Sequence, residues 1–304
     1  MKRALVTGAA GFIGRAVTAR LIADGWQVVG LVRKVDAPLP FSTIALGLAP
    51  WTVDALSNAI STVAPDIVFH IAGTVSAASV AEFYASNVAL TATLLDAVSK
   101  AAVPAAVVLI GSAAEYGYLP PEFLPAREDG PCHPVTHYGI SKLAQTWMGM
   151  AQARAGARVL IGRIFNPVGV GMPSNMALAS FSQQLRQGAR RLTVGDLDVA
   201  RDFIDVEEAA RLVVALASNS RNYGSIYNIC SGTAVNLGNL VEQLIALTGR
   251  DVRLVIDPAL VRPGEPREFW GDVSRLNQAG LTVSPPTFAS LLARLMALPG
   301  TALP

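Results

Sequence analysis

At 304 residues, with 52% hydrophobic and 15% charged side chains, the chain can bury a full core and is far too apolar for disorder. A net charge of +2, with no Lys/Arg run beyond two residues, leaves no footprint for nucleic acid. Cys132 and Cys230 lie far apart without metal-ligand spacing, no apolar run reaches the ~18 residues of a membrane span, and a glycine motif starts too early for a signal peptide, so a metal-free cytoplasmic protein with two unpaired thiols is expected.

Residues 3–7 form a short apolar run suited to a buried parallel strand, and 12–23 continue with helical periodicity. Between them stand Gly8, Gly11 and Gly14. The first permits a tight turn, the second lets a pyrophosphate approach the backbone, and the third lets helix pack on strand. The helix N-terminus, opening at Phe12 and Ile13, supplies free N–H groups and partial positive charge. This predicts a dinucleotide cradle.

A second strand follows at 27–32, then a helix at 53–63, a strand at 66–71, a long helix at 80–102 and a strand at 105–110. A helix from Tyr138 to about 155 and a strand at 159–163 complete the run. Strand alternating with helix predicts an α/β fold with a doubly wound parallel sheet, the Rossmann arrangement. From Phe165 the pattern changes: Asn166-Pro-Val-Gly-Val-Gly-Met-Pro reads as a loop. Helices at 176–187 and 237–247 and short strands at 192–194 and 252–256 predict a smaller α/β C-terminal lobe for substrate. Residues 200–218 read as strand then helix and are free to rejoin the main sheet. The predicted division is 1–163 plus about 199–222 for the cofactor and 164–198 plus about 223–304 for the substrate.

In an open parallel sheet, ligands bind beyond the carboxyl ends of the strands. The glycine turn, His70-Ile-Ala-Gly73 and Gly111-Ser112 all occupy such ends, and the Tyr138 helix begins just beyond. Tyr138 and Lys142 stand four residues apart, so they share a helix face. An ammonium near a phenol lowers its pKa from ~10, and such a tyrosine can exchange a proton with a sugar or alcohol oxygen. Taken alone, this spacing also describes an exposed aromatic beside a solvated lysine. At the end of the second strand, Arg33-Lys34 stand where an acidic residue would favour NAD, and Asp36 lies slightly too far along. Cationic side chains suit a 2′-phosphate, so NADP(H) is expected, with NAD(H) as the alternative.

Together these residues resemble the extended short-chain dehydrogenase/reductase family of nucleotide-sugar epimerases, dehydratases and reductases. The resemblance covers nearly the whole chain. It is carried by Thr7-Gly8-Ala-Ala-Gly11-Phe-Ile-Gly14, His70-Ile-Ala-Gly73, Asn87, Gly111-Ser112-Ala-Ala-Glu-Tyr-Gly117 and Tyr138-Gly-Ile-Ser-Lys142. In the second half it is carried by Arg163-Ile-Phe-Asn166, the Arg201 to Val206 stretch, Tyr227 to Gly232 and Arg262-Pro-Gly-Glu265. The stretches 111–117 and 201–232 are most similar to GDP-4-keto-6-deoxy-mannose reductases. The resemblance implies Ser112, Tyr138 and Lys142 as the catalytic triad. It adds Ala72, Gly73 and Asn87 to the cofactor site, with Lys142 on the nicotinamide ribose. Asn166, Arg201, Arg262 and Glu265 would meet a nucleoside-diphosphate sugar, arginine being suited to bidentate phosphate contact.

Departures from the family narrow the chemistry. Where sugar dehydratases carry carboxylates, this chain has Ala113 and Ala114, and a methyl group cannot act as acid or base. All three histidines (70, 133 and 137) precede the second lobe, which disfavours C3/C5 epimerisation. The leading expectation is NADPH-dependent reduction of the C4 ketone of a nucleoside-diphosphate 4-keto-6-deoxy sugar, GDP-linked. A C4 epimerase of the UDP-hexose type with tightly held NAD, and a non-catalytic NADP-binding sensor, are the alternatives. Apolar surfaces on the helices at 80–102 and 138–155 suggest a homodimer, as is common in the family.

Overall fold

The computed structural model describes residues 1–35, 38–261 and 264–297. Asp36 and Arg262, both singled out in the sequence, lie outside the described residues. The first half runs β1 (Arg3–Thr7), α1 (Phe12–Ala23), β2 (Gln27–Val32), β3 (Ser42–Ala45), α2 (Val53–Val63), β4 (Ile67–His70), α3 (Val80–Tyr84), α4 (Leu90–Ala101), β5 (Ala106–Ser112), α5 (His137–Arg154) and β6 (Val159–Ile164). The second half continues with β7 (Pro167–Val168), α6 (Ala177–Arg186), β8 (Arg191–Val194), β9 (Ala200–Asp202), β10 (Ile204–Asp205), α7 (Val206–Ala217), β11 (Ile226–Ile229), β12 (Ala234–Asn236), α8 (Leu237–Ala246), β13 (Arg253–Ile256), β14 (Glu268–Phe269), α9 (Ser274–Gln278) and α10 (Phe288–Ala297).

β1 is buried from Ala4 onward because both faces of its sheet are covered. Ala4 and Val6 belong to one core, shared with Val17 and Leu21 of α1 and with the apolar face of α7. Leu5, the residue between them, belongs to the core on the other face, with Leu56 and Ile60 of α2 and Leu94 of α4. α1 buries Gly14, Val17, Thr18 and Leu21, one helical stripe. Each fully buried Val or Leu in these layers is worth about 1.5–3 kcal/mol.

The seven strands are ordered β3-β2-β1-β4-β5-β6-β11, all parallel. The chain moves outward from β1 through β2 to β3, then returns to the other side of β1 for β4, β5 and β6. That reversal opens a crevice beyond the carboxyl ends of β1 and β4, where ligands bind in such sheets. The doubly wound sheet expected from sequence is present.

Four features differ from the sequence reading. β3 and β11 join the main sheet although neither was read as a strand; each has only four residues. β11, placed by sequence in the substrate lobe, pairs with β6 at the sheet edge. Within 200–218, only the helix returns: α7 packs on the main sheet, while β9 joins β12 and β14 in a small separate sheet. The long helix expected over 80–102 is interrupted by a π-turn, Ala85–Ala89, between α3 and α4.

The second core joins α6, α8 and α10 with β8 and β13, which pair in parallel. Phe181, Leu185, Leu240, Leu244, Leu291 and Leu295 fill it. Asp202 pins the small sheet in place: its carboxylate accepts the N–H and hydroxyl of Ser231 (both 2.7 Å), the Gly232 N–H (2.9 Å) and the Gly271 N–H (3.3 Å). Among the described residues no helix is long and apolar enough to cross a membrane.

Candidate active site

The glycine turn after β1 is shaped by contacts that no side chain could share. Gly8 has φ +69°, and a Cβ there would stand 2.7 Å from the Ala72 nitrogen. A Cβ on Gly14 would stand 2.0 Å from the Gly8 carbonyl oxygen. Gly11, at the N-cap of α1, offers no side-chain cap, and the first turn holds no acidic residue, so no side chain of the helix competes for its leading N–H groups. Phe12 and Ile13 form that first turn. The Phe12 ring lies 3.8 Å from where a Gly169 Cβ would be, which brings the loop after β7 beside the turn. Arg33 and Lys34 are exposed at the carboxyl end of β2, and the Arg33 carbonyl accepts the Gly47 N–H at 3.0 Å. A bare backbone cradle, an uncapped helix and two exposed cations fit a dinucleotide with an added phosphate.

Beside this turn, a buried hydrogen-bond chain links β1 to the π-turn. The Thr91 hydroxyl donates to the Asn87 carbonyl (2.7 Å), so it must accept from His70 Nε2–H (3.0 Å). His70 Nδ1 then accepts the Thr7 hydroxyl (2.8 Å), which itself accepts the Ala72 N–H (3.2 Å). Every partner suits a neutral ring, and burial, aided by the nearby Lys142 ammonium, lowers the His70 pKa to about 3. Asn87 completes the clasp. Its Oδ1 accepts the Thr74 N–H at 2.9 Å, and its Nδ2 donates to the Thr74 carbonyl and to Ser141 Oγ of α5. Gly73 is needed here, since a Cβ would meet Asn87 Oδ1 at 2.5 Å. Asn87 thus ties the loop after β4 to the helix that carries Tyr138 and Lys142.

Ser112 ends β5, and its hydroxyl lies near enough to the Tyr138 phenol to act on its pKa. α5 starts under a Thr136 cap, whose hydroxyl oxygen accepts the Gly139 N–H at 3.0 Å. Gly139 lets the helix start lie against the Ser112 turn: a Cβ there would be 2.4 Å from the Ala114 carbonyl oxygen. Ser112, Tyr138 and Lys142 are therefore brought to one place, next to Gly8, Ala72 and Gly73.

The electrostatics differ from the sequence expectation. Lys142 donates to Gln145 of its own helix, and burial raises the Tyr138 phenol to about 12 although the nearby Ser112 hydroxyl acts downward. Burial also lowers Lys142 to about 8. Between that value and the ordinary 10.5, the unfolded chain holds a proton that the fold does not, so stability rises with pH across this window. Below it, the fold carries the cost of a buried ammonium. Lys142→Met should therefore raise the denaturant midpoint at pH 7, and the gain should shrink as pH passes from about 8 to 10.5. A gain that is absent at neutral pH, or constant with pH, would contradict this.

The residues expected to meet substrate lie in the second half, around β9 and the loop before β14. Arg201 Nη2 pairs with Glu265 Oε1 at 2.8 Å, and Arg201 Nη1 donates to the Ala200 carbonyl at 2.7 Å. A phosphate at Arg201 would have to share the guanidinium with Glu265 or displace it. Asn166 Nδ2 donates to the Asp202 carbonyl at 2.7 Å, beside β10. Gly264, whose Cβ would lie 4.0 Å from Tyr118, brings this side toward the turn after Ser112.

Three inward groups escaped the sequence reading: Glu115, Arg163 and Gln145. Glu115 accepts the Ser112 N–H, and Arg163 pairs with it. A Ser-x-x-Glu spacing, the capping-box signature, is visible at Ser112 and Glu115 and could have found the first of these contacts. Cys132 and His133 lie in the loop before α5, and His137 opens the helix, its Nδ1 3.4 Å from the Tyr84 hydroxyl. Among the described residues, no group of three or more His, Cys, Asp or Glu is placed to hold a metal ion.

A sequence profile of the NAD dependent epimerase/dehydratase family matches residues 4–230. The chain is 31% identical over 288 residues to a GDP-6-deoxy-D-mannose reductase of Pseudomonas aeruginosa, covering 91% of this chain and 90% of the relative. It is 34% identical over 266 residues to a dTDP-6-deoxy-L-talose 4-dehydrogenase (NAD(P)(+)) of Kitasatospora kifunensis, covering 84% of this chain and 82% of that protein. The crystallographic neighbour RMD of Pseudomonas aeruginosa, solved with NADPH, superposes with a TM-score of 0.81 at 28% identity, covering 98% of each chain.

Proposed function

Because the chain belongs to the NAD dependent epimerase/dehydratase family, we propose that it is an NADPH-dependent reductase of the C4 ketone of a nucleoside-diphosphate 4-keto-6-deoxy sugar, with GDP the favoured nucleotide. The observation that carries this reading is the start of α5, which carries Tyr138, packed against the turn after Ser112, with burial keeping the phenol protonated and only the methyl groups of Ala113 and Ala114 following Ser112. One relative is named for reducing a GDP-deoxysugar, another for acting at C4 with NAD(P)(+), and the structural neighbour holds NADPH.

The nicotinamide would supply the hydride. Gly8, Gly11 and Gly14 would admit its pyrophosphate to the α1 N-terminus, with Phe12, Ile13, Ala72 and Gly73 lining the approach. Arg33 and Lys34 would meet the 2′-phosphate, and Asn87 would hold the loop after β4 in place. Lys142 would bind the nicotinamide ribose. Ser112 donates a hydrogen bond to the C4 oxygen. Tyr138, protonated at neutral pH, passes its proton to that oxygen as it gains charge. With methyl groups at 113 and 114, no carboxylate stands there to expel water. Asn166 and Arg201, with Glu265 and Arg262, would meet the diphosphate and nucleotide. The cofactor half would be 1–163 and the α7 region extended by β11, and the second core would hold the substrate.

The test is to incubate purified protein with NADPH and GDP-4-keto-6-deoxymannose and follow the nicotinamide absorbance. Oxidation dependent on both is expected. No oxidation beside an active control enzyme would sink this substrate assignment.

We place the enzyme in the cytoplasm, where a reducing environment keeps thiols such as Cys132 and Cys230 free. We also propose a homodimer through the outer face of α5, where His137, Ile140, Trp147, Ala151 and Arg154 form one exposed stripe and Trp147 is 49% exposed. Sedimentation equilibrium should give twice the chain mass; a monomer at micromolar concentration would refute it.

A further inference from the structure

The two positions after Ser112 carry methyl groups, but the next carries a carboxylate turned inward. Glu115 is fully buried. Its Oε1 accepts the Ser112 N–H at 2.8 Å, and its Oε2 accepts Arg163 Nε at 2.7 Å. The Ser112 hydroxyl in turn accepts the Ala114 N–H at 3.2 Å, closing a capping box over the short turn that follows β5. Arg163, 1% exposed on β6, lies over the Tyr116 ring, 4.7 Å from its centroid, and Nη1 donates to the Glu128 carbonyl at 3.5 Å. Gly111 makes the room, since a Cβ there would stand 2.5 Å from Glu115 Oε1. Thr146, one turn beyond Lys142 on α5, faces the same carboxylate.

One buried charge thus meets β5, β6 and α5. Two of these carry the residues to which the reaction is assigned. A buried ion pair is a poor way to gain stability, because desolvation offsets most of the attraction. A strand end that needed only packing could be filled with apolar groups. What the pair supplies is direction. Ser112 is followed by two alanines, which offer no side chain to hold the turn. Its backbone is anchored through the N–H to Glu115, and Glu115 is anchored to the next strand.

We propose that Glu115, held by Arg163, is a positioning residue that fixes the Ser112 hydroxyl against the Tyr138 phenol. This rests on the reading of Ser112, Tyr138 and Lys142 as the reacting group. The negative charge has a second effect: it acts upward on the pKa of both Tyr138 and Lys142, favouring a neutral phenol and a charged ammonium. The other groups acting on this pair are the Ser112 hydroxyl, on Tyr138, and His70, which is neutral and faces Lys142. Glu115 itself faces Arg163.

The test compares two variants that remove both charges together, so that neither is left stranded. Glu115→Met with Arg163→Met leaves the Ser112 N–H without its acceptor; Glu115→Gln with Arg163→Met restores an acceptor without the charge. The first should lose roughly 100-fold in kcat, the cost of an ångström-scale misplacement, with KM and NADPH affinity unchanged. Its crystal structure should show Ser112 Oγ displaced from its parent position beside Tyr138. The glutamine variant should recover most of kcat, with the alkaline limb of its pH profile moved to lower pH. Equal kcat in the two variants, or an unmoved Ser112 Oγ in the first, would overturn the proposal. Should the methionine variant not fold, the glutamine variant decides alone: a moved limb supports the proposal and a superimposable one overturns it. The crystal structure reads position without substrate, so an inactive parent protein would sink the functional reading and leave this test standing.

Discussion

Tyr138→Phe should lower kcat by roughly a thousandfold, within the 10²–10⁴ range of a positioned general acid, while NADPH affinity stays near that of the parent. The substitution removes one oxygen from a half-buried ring that packs near Phe83, with centroids 6.3 Å apart, so the fold should not notice it. The phenol sits at about 12, so it stays protonated through the physiological range and serves as donor rather than base. Loss of rate on the alkaline side should therefore follow Lys142, near pH 8, and not Tyr138. Steady-state kinetics with a fluorescence titration of NADPH separates the two effects. A variant with unchanged kcat would remove Tyr138 from the reaction.

Gly14→Ala should weaken NADPH binding by at least about 100-fold, equivalent to about 2.7 kcal/mol, and lower the melting temperature as well. The added methyl would stand 2.0 Å from the Gly8 carbonyl oxygen, which is backbone and cannot swing aside. The turn has no room to retreat, because a Cβ at Gly8 would already stand 2.7 Å from the Ala72 nitrogen. α1 must therefore back away from β1 and take its N-terminus with it. Gly25→Ala is the control. It also has positive φ, +77°, but a Cβ there meets nothing within 4 Å, so it should cost only about 1 kcal/mol and leave NADPH affinity alone. Calorimetric titration of both variants decides the matter; equal affinities would dissociate the glycine turn from the cofactor.

The sequence is most legible where burial is two-sided and local. β1, α1, β2 and α2 have the limits that apolar runs and glycine spacing indicate, because Ala4, Leu5 and Val6 face covered layers whatever their distant neighbours are. β3, at the sheet edge, buries none of its residues fully and carries a weak pattern. β11 is fully buried but short, and only its pairing with β6 reveals its place. Asn87, inside the π-turn, contacts Thr74 and Ser141, neither of which is near it in the chain.

At the site, the gathering of Ser112, Tyr138 and Lys142 follows from strand order, so it was visible early. The electrostatics were not. The spacing of Tyr138 and Lys142 suggests an ammonium lowering a phenol, yet Lys142 turns to Gln145, and burial dominates both groups. Burial depends on what α5 packs against, and no spacing rule within the helix encodes it. Glu115 shows the same limit: the alanines before it offer only methyl groups, while its carboxylate meets the Ser112 N–H from inside the core.

The central claim is that this chain moves a hydride from NADPH to C4 of a nucleotide-linked keto sugar. The most direct test is turnover of GDP-4-keto-6-deoxymannose with NADPH deuterated at the transferable position, followed by magnetic resonance of the product. One deuterium on C4 of a GDP-linked 6-deoxyhexose is the expected result. An unlabelled product, or interconversion of UDP-hexoses with no cofactor added, would contradict it and favour a C4 epimerase.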